Sequence, residues 1–259
     1  ITIERLSYKS EIASNSEFKP NIFIDALLSV FNEANSSLTD HFEIENIKYV
    51  NPLRAYPKRY YFVNEEKQLN ILNTIDGNQL AEILKENADI KNLANQWLAK
   101  FGVKVNINQI KDDIHNIVIN QKGLNLNITD VGFGISQILP IIVQGFLSAN
   151  DSITLIEQPE IHLHPMMQAD LADLFIAIIS TEDGTSGKKL LIETHSEYLL
   201  KRLRRRLAEG KINPNDVAIY FFEPKKLKNG SAKMRKLKIS KTGDFEWPKD
   251  FYSGDMEDI

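Results

Sequence analysis

The sequence predicts an α/β protein: a buried parallel sheet flanked by helices, preceded by a segment of helices and β-hairpins. Three observations carry this. Residues 153–156, 190–192 and 217–222 are short, continuous apolar runs, as in strands covered on both faces. They alternate with helical patterns, the rhythm of βαβ crossovers. Upstream, 103–107, 116–120 and 124–128 alternate apolar and polar residues, as half-buried strands do.

In chain order, residues 21–34 form an amphipathic stripe of Ile22, Ile24, Leu27, Leu28 and Phe31, read as a helix. Residues 47–50 read as a short strand, leading into a loop fixed by Pro52 and Pro57. Residues 66–102 are polar and Asn-rich, with helices at 79–85 and 90–101. Gln121, Lys122 and Gly123 form the turn between two of the alternating strands. A helix over 135–149 opens after Gly134 and carries a kink at Pro140. The helix over 166–180 follows Pro165, which suits a first turn. The helix over 197–208 has Ser196 as its N-cap.

Composition narrows the function. Apolar residues at 42% and charged residues at 25% are globular values and exclude wholesale disorder. With 31 basic against 35 acidic residues the net charge is −4, which excludes a chain-wide basic field for nucleic acid. There is no cysteine, so disulfides, thiolate metal sites and cysteine nucleophiles are excluded. The longest apolar stretches, 135–147 and 171–179, are interrupted by Ser, Gln, Gly or Asp and fall short of the roughly 20 residues of a membrane helix. The chain opens on Ile1 without Met or a signal-peptide core. The expectation is a soluble, cytoplasmic protein with a trimmed N-terminus.

In open parallel sheets, ligands bind at the carboxyl ends of the strands. One apolar run ends Glu157-Gln158-Pro159-Glu160, followed by Ile161-His162-Leu163-His164-Pro165. A carboxylate at a buried strand tip needs compensation, which a magnesium ion or a water supplies. The next run ends Glu193-Thr194-His195-Ser196. Upstream, Gly132-Phe133-Gly134-Ile135-Ser136 enters a helix whose free amides and dipole suit an anion.

These three segments, in this order, resemble the C-terminal half of an ABC-type nucleotide-binding domain, on a P-loop NTPase-like fold. Their wording is similar to the ABC-type AAA ATPases of the OLD and SMC/Rad50 groups. Residues 216–223 and 243–248 resemble the DUF3696 domain that follows this core in many bacterial proteins. The resemblance divides the chain into the remainder of an N-terminal lobe (1–65), a helical and β-hairpin insertion (66–129), the signature, Walker B and switch half (130–225) and a DUF3696-like tail (226–259). It implies a homodimer that sandwiches ATP head to tail. The signature loop (Gly132, Phe133, Gly134, Ser136) then contacts the γ-phosphate in trans, and Glu157 holds Mg²⁺. Glu157, Gln158 and His195 are the catalytic set, with His195 the switch histidine. His162, Leu163 and His164 lie in the D-loop at the dimer seam. A partner effector such as a nuclease, in bacterial antiphage defence, is implied in the same way.

Two departures bear on activity. Walker B ordinarily ends Asp-Glu, and here it ends Glu157-Gln158. An amide orients water but takes no proton from it, leaving Glu160 as an alternative base. None of the 12 glycines begins a Gly-x4-Gly-Lys-Ser/Thr loop. The nearest approach, 184–189, has Lys189 where the hydroxyl belongs and precedes a strand. The resemblance places the P-loop ahead of this chain, in an N-terminal lobe that is removed or disordered; the alternative is a degenerate subunit.

Other readings stand beside these. The chain is alternatively a non-hydrolysing scaffold, or a DNA-associated repair component. His162 and His164 have the look of a metal pair, but no third ligand accompanies them. The basic run at Arg204, Arg205 and Arg206 is a solvated helix face or a nucleic-acid contact. Trp247 is read as packing for the tail.

Overall fold

The computed structural model describes residues 47–62, 72, 77–180, 187–224, 232–240 and 242–247. The helix expected at 21–34, most of the glycine-containing stretch before Lys189 and most of the tail lie outside these residues. The chain divides into Ile1–Glu43 and Ile44–Ile259, and every described residue falls in the second unit.

Three strands form a parallel sheet: β1 (Ile47–Val50), β6 (Ile153–Glu157) and β7 (Lys189–Glu193), with β6 in the middle. Ile47 pairs with Ile153, and Ile153 with Lys189, so all three strands end on the same side. The crossover from β6 to β7 is α4 (Pro165–Ile179), and α5 (Glu197–Ala208) follows β7. The core of the unit is α3 (Phe133–Leu147). Its residues Ile138, Leu139, Ile141, Ile142 and Val143 are fully buried. A helix apolar on every side belongs inside a protein rather than on its surface. Pro140 sits within the continuous helical span. Gly145 lets α4 approach α3: a Cβ there would lie 2.3 Å from Ile178 Cδ1.

A second, antiparallel sheet precedes this core. β4 (Ile114–Gln121) pairs on one side with β3 (Val103–Lys111) and on the other with β2 (Tyr61–Phe62) and β5 (Leu124–Asn127). The expected turn joins β4 to β5 with Lys122 at φ 52° and Gly123 at φ 83°, the two left-handed residues of a tight hairpin. α1 (Gln79–Glu86) and α2 (Ala88–Leu98) cover this sheet. Asn95 of α2 accepts from Val105 N at 2.7 Å and donates to Val105 O at 3.1 Å. It thereby serves β3 as a surrogate strand edge.

Two expectations are corrected. Residues 217–222 do not extend the parallel sheet. β8 (Ile219–Pro224) pairs antiparallel with β9 (Ala232–Leu237) in a separate hairpin. The run alternates after all, since Tyr220 and Phe222 are exposed at 45% and 62%, and a one-sided strand suits a two-stranded ribbon. The parallel sheet is also not covered evenly on both faces. Val50 and Ile156 are buried, whereas Tyr49 and Leu191, on the opposite face, are 44% and 63% exposed.

The basic run of α5 is bound within the fold. Arg206 makes a bidentate pair with Asp173 of α4 (Nε to Oδ1 2.5 Å, Nη2 to Oδ2 2.9 Å) and also reaches Glu209. Arg202 bridges Asp173 at 3.2 Å and Asp170 at 3.3 Å. Arg205 pairs with Glu209. Arg204 pairs with Asp244 and lies over the rings of Phe245 and Trp247. Partial burial pushes the Asp173 carboxyl up, but Arg206 and then Arg202 outweigh it, and its pKa falls below the ordinary carboxylate value. The charged form is therefore favoured by folding. Its contribution is complete above the unfolded carboxylate pKa and is lost as pH falls through the lower folded one. Asp173→Asn is expected to cost about 1.5–3 kcal/mol at neutral pH, the worth of hydrogen bonds to a charged group. Urea unfolding across pH should show that difference shrinking toward strongly acidic conditions.

Candidate functional site

The carboxyl ends of β6 and β7 lie side by side, because Glu157 pairs directly with Glu193. The chain leaves β6 through two non-glycine residues in the left-handed region, Gln158 at φ 43° and His162 at φ 64°. Such conformations cost about 1–3 kcal/mol each and persist only where their surroundings enforce them. Here Glu193, Arg54 and Glu160 do so. Gln158 N donates to Glu193 O at 2.9 Å. Arg54, in the loop after β1, donates through one Nη2 to the carbonyls of both Glu157 and Gln158, each at 3.0 Å. Glu160 accepts from Thr194 Oγ1 at 2.9 Å and from His195 N at 2.6 Å.

The network continues into both following helices. Thr194 Oγ1 accepts from Ser196 N. Ser196 caps α5, accepting from Leu199 N as expected, and donates to Gln168 Oε1 at 2.8 Å. Gln168 Nε2 returns to Leu163 O at 3.0 Å. The loop after β6 and the loop after β7 are thus one hydrogen-bonded body.

His195 is held by its backbone, while its ring projects: the side chain is 77% exposed, with Nε2 3.7 Å from Glu193 Oε1. Beside Glu157, Tyr49 of β1 hydrogen-bonds its carboxylate. That bond first, then burial and the charges of Glu157 and Glu193, keeps the Tyr49 phenol above its usual range. Sequence reading missed Tyr49. Its signal was the parallel register of β1 and β6, which no local pattern reveals.

The start of α3 meets the same end of the sheet. The Phe133 ring packs edge-on to His162 at 4.9 Å, and a Cβ on Gly134 would stand 3.2 Å from His162 O. Gly132 is the N-cap and has no side chain to offer the first amides of α3, which leaves them able to face an anion. Ser136 is only 3% exposed, and its hydroxyl donates to Phe133 O at 2.7 Å, so the loop's outward donors are backbone amides. His162 and His164 are engaged separately. The first packs on Phe133, and the second caps α4 by accepting from Met166 N. Among the described residues no cluster of three or more metal-ligating side chains occurs. Magnesium at phosphate sites ordinarily uses one or two carboxylates with phosphate and water completing its shell, and the strand-tip carboxylate of Glu157 fits that limited demand.

Arg54 is 3% exposed, and burial lowers its pKa to about 10 against the favourable field of Glu160. Glu160 is engaged by two donors and acts here as a brace. Glu160→Ala should release the 194–195 backbone. Amide exchange at His195 is expected to accelerate at least tenfold, since a bond to a charged group is worth about 1.5–3 kcal/mol. Unchanged exchange would show that the strands alone hold that loop.

No curated protein matches the sequence. Solved structures similar to the chain include an SMC ATPase described by ATP-driven dimerization and DNA-stimulated activation, at 13% identity and TM-score 0.43, covering 61% of this chain and 89% of that one. Another is the Pyrococcus furiosus Smc head domain with an extended coiled coil, bound to the C-terminal domain of ScpA (14% identity, TM-score 0.41, 64% and 38% covered). A third is an Smc head bound to the C-winged helix domain of ScpA (13%, 0.43, 67% and 49%). The chain spans less than half of the latter two. Residues 3–200 match the AAA ATPase domain, most of the chain, and the protein belongs to that ATPase family.

Proposed function

We propose that this chain is the signature, Walker B and switch half of an ABC-type ATP switch, which dimerises head to tail around Mg-ATP and passes its nucleotide state to a partner. The observation that carries the reading is the convergence, at one end of the parallel sheet, of the Glu157 carboxylate, the exposed His195 ring and the amide-bearing start of α3. An ATP-dependent dimer needs these three functions on one surface: a metal carboxylate, a γ-phosphate sensor and an anion-binding helix end.

Glu157 is the residue for the magnesium ion, whose chemistry is to neutralise phosphoryl charge. Gln158 orients water by hydrogen bonding and takes no proton. Phosphoryl transfer depends chiefly on positioning and charge stabilisation, so a slow reaction remains within reach of this set. His195, with its backbone fixed by Glu160 and its ring free of the core, reaches across the seam. Gly132, Phe133 and Gly134 present backbone amides to the phosphate held by the other subunit. The partner is an effector such as a nuclease, a role supported only by the resemblance to defence ATPases.

The 259 residues contain no Gly-x4-Gly-Lys-Ser/Thr loop, so the chain by itself is expected to bind ATP no tighter than about 1 mM. Micromolar affinity in calorimetry would place a phosphate loop where none is read. In a protein that joins this chain to a P-loop, single-turnover phosphate release should be slow. Gln158→Glu should accelerate it about 10²- to 10⁴-fold, the usual value of a positioned base. Glu157→Ala should abolish both Mg²⁺-dependent release and ATP-dependent dimerisation. Normal turnover in Glu157→Ala would remove the strand-tip carboxylate from the mechanism.

A further inference from the structure

The hairpin of β8 and β9 turns one face to solvent. Side chains alternate along a strand, so Tyr220 and Phe222 of β8 share a face with Lys236 and Met234, their partners across the ribbon. All four are exposed, Phe222 at 62% and Met234 at 59%. The other face is the packed one: Leu237 is buried, and Ile219 and Phe221 are half-buried. Single exposed apolar side chains need no explanation, but a group of them on one face marks an interaction surface.

The two strands divide the chemistry. β8 supplies the rings. β9 supplies the charge, since three of its six residues are basic and none is acidic. Lys233, Arg235, Lys236 and the following Lys238 are all exposed. Over 219–238 the sequence carries seven basic residues and one acidic, in a chain whose net charge is −4. The basic face of α5 is neutralised by carboxylates of the same chain. By contrast, among the described residues no carboxylate pairs with Lys233, Lys236 or Lys238. Lys236 instead stands with Nζ 5.9 Å from the centroid of the Tyr220 ring, a cation beside an aromatic face on the open side.

Flat apolar faces beside a row of cations suit a partner that has both exposed rings and negative charge. An acidic protein surface would use the lysines and leave the rings without a role. Duplex DNA keeps its base faces inside the stack. A single strand offers unpaired bases on one side and phosphates on the other. We propose that the β8–β9 ribbon binds single-stranded nucleic acid, with bases stacked on Tyr220 and Phe222 and the phosphates running along β9 past Lys233, Lys236 and Lys238. Alternate residues of one strand stand about 7 Å apart, which gives each ring its own base, and the neighbouring strand lies about 4.8 Å to the side, where the backbone of a stacked nucleotide falls. Met234 extends the apolar floor beside Phe222. Binding through ring faces and phosphates is tolerant of sequence and common to DNA and RNA. The site lies apart from the strand-tip set and needs neither ATP nor a dimer, so it survives the failure of that reading.

The test is fluorescence anisotropy of the full chain with labelled oligothymidylate and oligouridylate of about 12 nucleotides, without nucleotide or Mg²⁺, at about 50 mM salt. Saturable binding of at least one is expected, and their ratio tells DNA from RNA as the preferred strand. An abasic oligomer of equal length and charge should bind at least about fivefold more weakly, as should the same sequence held in a duplex. Phe222→Ala should cost at least about fivefold with an unchanged circular dichroism spectrum, and Phe222→Trp should restore the affinity. The slope of log affinity against log salt should be about −2 to −3, and Lys236→Gln should reduce it by about 0.7. Equal affinity for the abasic oligomer, or no loss in folded Phe222→Ala, overturns the proposal. Polyglutamate competing as well as the oligomer would make the partner an acidic protein. A mass that rises with concentration in wild type but not in Phe222→Ala, with no oligomer bound, would make it a second copy. Either result also overturns the proposal.

Discussion

The turn out of β6 is the constraint around which this unit is arranged. A parallel strand that ends in Glu157 and must immediately start a crossover has little room. The chain solves this by forcing Gln158 and then His162 into the left-handed region. Two such residues cost a few kcal/mol together. Against that stand the charge-assisted bonds of Arg54 to two carbonyls and of Glu160 to a hydroxyl and an amide, each worth about 1.5–3 kcal/mol. The balance favours the strained turn, and loss of either charged side chain narrows it. The geometry of the strand tip thus depends on two residues that lie outside it in space or in sequence.

Charge is used differently along α5. The Arg-rich face of α5 has an acidic counterpart in Asp170, Asp173, Glu209 and Asp244. Each guanidinium there has a carboxylate of the same chain beside it. The run works as a clasp joining α5 to α4 and to the segment around Phe245, and its field is largely cancelled at short range.

Much of this was legible in the sequence. The helices from Gln79 to Ala208, the alternating strands of the antiparallel sheet and the Lys122–Gly123 turn follow from periodicity and turn chemistry, which are local. Ser196 as a cap is local too. Pairing is not. Nothing in residues 217–222 tells a buried parallel strand from half of a ribbon, because the deciding partner, β9, is a charged segment with no apolar pattern. Nothing in residues 47–50 says that they lie against β6. Glu157, His195 and the Gly132 loop could still be picked out as a set, because their three local segments stand in a recognisable order along the chain. The bracing contacts of Glu160, which sequence alone offers only as an alternative base, needed the spatial neighbour. So did Arg54, whose bonds span more than a hundred positions of sequence.

The burial of α3 has a mechanical side. One end of this helix touches the loop after β6. At the other, Gln144 accepts from Leu72 N and joins Ser148 and Thr154 in a chain of side-chain hydrogen bonds, while Lys188 donates to the carbonyls of Gly145 and Phe146. Close-packed interiors transmit strain instead of absorbing it. A buried helix of fifteen residues is therefore a stiff link about 22 Å long. It ties the loop after β6 at one end to the amino end of β6 and the entry to β7 at the other, through one packed element.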